Sequence, residues 1–145
     1  MTRSLSTFAA ILAAISTSFA CSTASSTGPT GLSLVDRIGG SWTLVAQQPA
    51  GEPEGAPPAG STFAMQIADG RASVTADCNR CNGAAAVGDS TLTLGPAMAC
   101  TRAYCTASAP FDTTFVRILA ADSVANVDGN LLTLRSERGI LRFRR

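Results

Sequence analysis

Short runs of alternating apolar and polar residues, each closed by a Gly-containing turn, constrain this chain more than any other feature. Phe63, Met65 and Ile67 alternate with Ala64 and Gln66, and Asp69-Gly70 then predicts a type I′ hairpin into Ala72 and Val74. A second hairpin is expected from residues 84–87, Gly88-Asp89, and Leu92 and Leu94. Strands resume over residues 124–127, 131–134 and 140–143, with turns at Asp128-Gly129 and near Arg138-Gly139. Ahead of these, Trp42, Leu44 and Ala46 alternate with Thr43 and Val45, a half-buried strand with a large aromatic anchor. Period-two patterning has side chains pointing to opposite faces, so each run offers one face to a core. The predicted fold is mainly β (α+β): about eight short antiparallel strands in a sheet that curls into a small barrel, with one helix packed across it.

That helix is expected over residues 108–121. Pro110 suits a first helical turn, Asp112 complements the positive end of the helix dipole, and Phe111, Phe115, Ile118 and Leu119 fall on one face. Leu32, Val35 and Ile38 recur at helical spacing ahead of Gly39-Gly40, which reads as a short helical turn. Residues 47–60 hold four Pro, three Gly and two Glu, a composition that predicts a long exposed loop outside the sheet. Trp42, Phe63, Phe111, Phe115 and Phe143 are expected to fill the barrel rather than line a ligand cavity, because they are just sufficient for one domain of this size.

The N-terminal residues read differently. Arg3, an apolar run over residues 8–15 and then Ser18-Phe19-Ala20 have the three-part layout of a secretory signal. Ala20-Cys21 resembles a bacterial lipobox, although Ser18 stands where Leu is usual. Cys21 is the odd one of five cysteines, and residues 22–31 form a Ser-, Thr- and Gly-rich tract suited to a flexible tether. The expected organisation is a signal peptide over residues 1–20, a polar tether and linker over 21–38, and one domain over 39–145. On this reading Cys21 is lipidated, and the protein is a membrane-anchored lipoprotein of the cell envelope, with a soluble exported form as the alternative.

Composition narrows the chemistry. Eleven cations, all Arg, against ten carboxylates give a net charge of +1, which offers no broad basic surface for nucleic acid. The absence of His removes Ser-His, Cys-His and His-zinc constellations. Asp69, Asp89 and Asp128 sit beside Gly in predicted turns, where Asp is favoured for its backbone tolerance. Glu52 and Glu54 lie in the Pro-rich loop with no neighbouring feature that would make either an acid or a base. Arg142 and Arg144 alternate with Leu141 and Phe143, so both point outward from a final strand, where charge discourages edge-to-edge pairing. Cys78, Cys81, Cys100 and Cys105 remain, an even set that points to disulfides in an exported chain. Their Cys-x2-Cys-x18-Cys-x4-Cys spacing also approaches a four-cysteine zinc site. A redox reading of Cys78-Asn79-Arg80-Cys81 is weaker, since Asn82-Gly83 reads as a turn and not as the start of a helix. Four cysteines allow three connectivities, and spacing alone leaves all three open.

Trp42-Thr43-Leu44, then Asp77-Cys78-Asn79-Arg80-Cys81-Asn82-Gly83, then Thr101-Arg102-Ala103-Tyr104-Cys105, then the Phe-rich helix, resemble in their order the META (HslJ-like) domain family. The family core is Gly-Cys-Asn-x-x-x-Gly followed later by Thr-x-Met-Ala-Cys. Here Asp77 stands for the usual Gly, Cys81 for a position more often aromatic, and Ala103-Tyr104 for Met-Ala. The resemblance implies a small antiparallel barrel with a helix across it and a family cysteine pair at Cys78 and Cys105. Cys81 and Cys100 would then form a second bridge nested in the first. It further implies a link to heat or envelope stress, secretion or motility, with no agreed reaction. The expected function is a non-catalytic binding or stress-related module, without catalytic residues, cofactor or metal, monomeric, and in contact with the membrane through Cys21 and with an envelope protein partner. Two alternatives are a protease inhibitor presenting loop 47–60 and a cysteine-based redox or zinc protein.

Overall fold

The computed structural model describes residues 31–95, 98–106 and 108–145. The expected signal peptide, lipidated Cys21 and tether lie outside the described residues.

Among the described residues, two helices and nine strands follow in the order α1 (Leu34–Ile38), β1 (Gly40–Pro49), β2 (Phe63–Ala68), β3 (Arg71–Ala76), β4 (Asn79–Val87), β5 (Thr91–Leu94), β6 (Ala99–Cys100), α2 (Ala109–Leu119), β7 (Ser123–Asp128), β8 (Leu131–Ser136) and β9 (Gly139–Arg144). Every pairing between these strands is antiparallel. The neighbours run β3-β2-β1-β9-β8-β7-β5-β4, and β3 pairs with β4 to close an eight-stranded barrel. β6 is a short ninth strand laid on β4, with Cys81 opposite Cys100 and Asn82 opposite Ala99.

Local chemistry accounts for the turns. Asp69 and Gly70 both take positive φ, 50° and 70°, as a type I′ hairpin requires. The strands alternate as expected: Trp42, Leu44 and Ala46 are buried on β1, Phe63, Met65 and Ile67 on β2, and Leu141 and Phe143 on β9. All of these but Ala46 meet inside the barrel with Val74, Leu92, Leu94, Leu132 and Leu134. An eight-stranded barrel has an interior just wide enough to be filled by its own side chains, and this one is filled.

The helices close opposite ends of the barrel. α2 sets Phe115 against Phe63 and Phe143, with ring centroids 5.2 and 6.2 Å apart in edge-to-face geometry, while Phe111 packs on Phe63 at 4.9 Å. Such pairs add roughly 0.5–1.5 kcal/mol each beyond area burial. At the other end, Ser33 and Asp36 form a reciprocal capping box at the start of α1. Leu34 and Ile38 enter the core, the buried Trp42 indole donates to the Ile38 carbonyl at 2.7 Å, and Arg37 donates to the Val127 carbonyl at 2.7 Å.

Three expectations are corrected. Asn82-Gly83 is no turn: both residues lie within β4, and the reversal between β3 and β4 occurs before them, at Asp77-Cys78. Residues 47–60 are only partly a free loop. Gln47, Gln48 and Pro49 continue β1 against β9, and Gly55 returns to bond Gln47 through both backbone groups at 2.8 and 2.9 Å. Pro49 is the last residue of β1 and lies opposite Gly139 of β9. Finally, β9 is not an edge: it lies between β1 and β8, so outward Arg142 and Arg144 do not guard an open ladder. Arg142 instead forms an ion pair with Glu54 of the Pro-rich loop. Closure of the barrel, which depends on pairing between distant strands, is what removes the edge.

Candidate functional site

The sequence features that stand out for chemistry converge at one place, the knuckle where β3 turns into β4. Ala76 and Asn79 face each other across a two-residue reversal made of Asp77 and Cys78. Asp77 takes φ 54°, a left-handed conformation in which Gly is easiest and Asp or Asn is next best. Asp77 uses its extra atoms: its carboxylate accepts a 2.7 Å hydrogen bond from the hydroxyl of fully buried Ser108, the residue that precedes α2. Ser108 makes no side-chain cap on its own helix. The departure from Gly at this position therefore links the knuckle to the start of α2.

Disulfides join Cys78 to Cys105 and Cys81 to Cys100, the nested connectivity, with Cα separations of 5.8 and 4.0 Å. Cys81 and Cys100 are direct cross-strand partners on β4 and β6, and Cys81 is fully buried. Cys78 is exposed, whereas Cys105 is buried. Asp77, Cys78 and Cys105 bring a carboxylate and two sulfurs within 4.8 Å of one another. Both sulfurs are committed to one bridge, so neither is a thiolate that a metal could use.

Asn79 organises the remainder. Its amide oxygen accepts from the Ala103 N–H at 2.8 Å and from the Thr101 hydroxyl at 3.1 Å. Its amide nitrogen donates to the Ala103 carbonyl at 3.0 Å and to Cys105 Sγ at 3.3 Å. The Arg80 N–H adds a bond to Thr101 Oγ1 at 2.9 Å, and the Arg80 carbonyl accepts from the Thr101 N–H at 2.9 Å. A strip with no regular secondary structure, residues 101–105, is thereby fastened to the start of β4. Reading the residues individually gives Asn79 no special role; the signal lies in the Gly-Cys-Asn pattern of the family it resembles.

Between this strip and α2 lies an open cleft of about 440 Å³. Ala76, Val116 and the Cys81–Cys100 pair give it an apolar lining, and Tyr104 and Asp112 contribute polar groups. Asp112 is almost fully buried, while Tyr104 is 81 % exposed. The arrangement offers a rigid, shaped surface more than a set of reacting groups. Asp69 and Asp89 lie in turns and Asp128 ends β7 just before its turn, none of them lining the cleft, and Glu54 is paired with Arg142.

The family model of the META domain matches residues 33–145. Two solved structures share the fold. One, an NMR structure of a protein from Burkholderia xenovorans, is 22 % identical with a TM-score of 0.62, covering 73 % of this chain and 81 % of its own. A second NMR structure is 20 % identical with a TM-score of 0.56, covering 72 % of this chain and 87 % of its own. No curated protein matches the sequence.

Proposed function

This chain belongs to the META domain family, and from that membership we propose that it is an exported, lipid-anchored, non-catalytic module of the bacterial cell envelope that acts by contact with an envelope protein. The observation that carries the reading is the doubly bridged knuckle: two disulfides in a domain of this size belong to an oxidising compartment. Ala20-Cys21 ahead of a polar tract supports the anchor, since acylation accounts for the one cysteine left after pairing. A filled barrel with a rigid outer cleft favours surface recognition over turnover of an enclosed small molecule. A role in heat or envelope stress is part of the same reading, through the family resemblance.

Fractionation tests it. Wild-type protein is expected in the membrane fraction with an acylated mass beginning at Cys21, and Cys21→Ser is expected to move it to the soluble exported fraction. An unmodified Cys21 in the mature wild-type mass, or unchanged partitioning of the variant, contradicts the anchor.

Protease inhibition through loop 47–60 stands as a second reading. The Gln47–Gly55 bridge and the Glu54–Arg142 pair hold part of that loop in place, which favours binding by reducing the entropy lost on contact. Saturable inhibition of one member of a protease panel would raise this reading above the first.

A further inference from the structure

We propose that the knuckle is a thiol–disulfide exchange site with a fixed direction, in which an external thiolate attacks Cys78 and Cys105 departs as the thiolate. Three observations carry it. The first is access: Cys78 is exposed, Cys105 is 5 % exposed, and the second bridge is anchored on Cys81, which is fully buried in the ladder between β4 and β6. Exchange depends on which sulfur the nucleophile can reach. The second is the leaving group. Two donors, the Ala103 N–H and the Thr101 hydroxyl, fix the Asn79 amide oxygen, so the amide N–H groups face the Ala103 carbonyl and Cys105 Sγ. That nitrogen is 3.3 Å from Cys105 Sγ and 3.9 Å from Cys78 Sγ, so charge developing on Cys105 receives the closer donor. A better stabilised leaving thiolate departs faster. The third is charge. Asp77 faces both sulfurs and disfavours a thiolate on either, but its carboxylate is engaged by Ser108. Arg80 Nη1 donates to the Asp77 and Asn79 carbonyls, on either side of Cys78, at 3.0 and 3.3 Å, which puts a positive charge at the knuckle that favours the approach of an anionic thiol.

The step balances without an added oxidant. The incoming thiolate sulfur bonds to Cys78 Sγ, the Cys78–Cys105 bond breaks, and its electron pair stays on Cys105 Sγ. One disulfide is lost and one mixed disulfide is formed. The co-reactant is a small cysteine-containing thiol or the reactive cysteine of a dithiol protein; in the second case its other thiolate attacks the mixed disulfide and releases Cys78 reduced. Opening removes the covalent tie of residues 101–105 to the knuckle and leaves that wall of the cleft held by the Asn79 and Arg80 hydrogen bonds and, at its start, by the Cys81–Cys100 bridge.

Trypsin makes the test direct, because cleavage after Arg71, Arg80, Arg102 and Arg117 places Cys78 in peptide 72–80, Cys81 and Cys100 together in 81–102, and Cys105 in 103–117. The oxidised full chain carrying Cys21→Ser would be exposed briefly to glutathione without denaturant, quenched by alkylation and mapped. Glutathione on Cys78 with alkylated Cys105 is expected to exceed every other adduct by about tenfold or more. Glutathione mainly on Cys105, equal labelling of the two sulfurs, opening of the bridge within 81–102 first, or no adduct short of unfolding each overturns the proposal. Asn79→Asp, which keeps the acceptor but replaces the donor with negative charge, is expected to slow opening several-fold while the bridge within 81–102 stays closed. An unchanged rate removes Asn79 from the mechanism, and if that variant does not fold, the site of the adduct in the Asn79 protein still decides.

Discussion

The Asn79 side chain pairs with Ala103 as a neighbouring strand would, accepting its N–H at 2.8 Å and donating to its carbonyl at 3.0 Å. One carboxamide thus does for residues 101–105 what a β-ladder would do for a longer segment. Asn79→Ala removes both bonds and the contact with Thr101, and is expected to lower stability by about 1–2 kcal/mol, the range for a small hydrogen-bonded network at a partly exposed site. Urea unfolding with an unchanged m-value checks this, and a loss below about 0.5 kcal/mol would mean that the disulfides and the Arg80 bonds position the strip without Asn79.

At Asp77 two effects oppose each other. Gly relieves the left-handed backbone but gives up the bond from buried Ser108, whereas Ala loses the bond and keeps the strain. Asp77→Gly is therefore expected to lie within about 1 kcal/mol of the parent and Asp77→Ala to fall about 2 kcal/mol below it. If Ala and Gly are equivalent in thermal or chemical unfolding, backbone strain at φ 54° has no part in the choice of residue.

The Pro-rich loop offers a separation of contributions. Glu54 and Arg142 have side chains 45 % and 29 % exposed, so Glu54→Ala is expected to cost no more than about 1 kcal/mol. Deleting residues 51–58 also removes Gly55 and leaves the N–H and carbonyl of buried Gln47 unpaired. That deletion is expected to cost about 2–4 kcal/mol, well above the few tenths that loop-closure entropy alone would change. Calorimetry on the two variants checks the order; equal, small losses would show that the loop is only a connection.

What was legible in the sequence was local. Asp69-Gly70 declared its hairpin because both residues tolerate positive φ, and alternation placed Trp42, Phe63, Met65 and Phe143 inward. The amphipathic spacing of Phe111, Phe115, Ile118 and Leu119 located α2 to within two residues at its end. What was not legible depends on distant partners. The joining of β3 to β4 and of β1 to β9 closes the barrel, and only closure shows that Arg142 and Arg144 are not on an edge. β6, two residues long, carries too little pattern to be seen and is held by Cys81 and by Asn82. Asn82-Gly83 has turn composition yet lies in β4, where pairing with Ser73 and Ala72 overrides local preference. The cleft beside Tyr104 assembles from β3, β4, the 101–105 strip and α2, so no single segment announces it.

If the four cysteines of the domain are paired within it, a non-reducing tryptic map of the native chain, with free thiols blocked, yields peptide 72–80 linked to 103–117 and peptide 81–102 closed on itself by an internal bridge. A link from 81–102 to either of the other two peptides, or four blockable thiols in the native protein, would contradict that pairing.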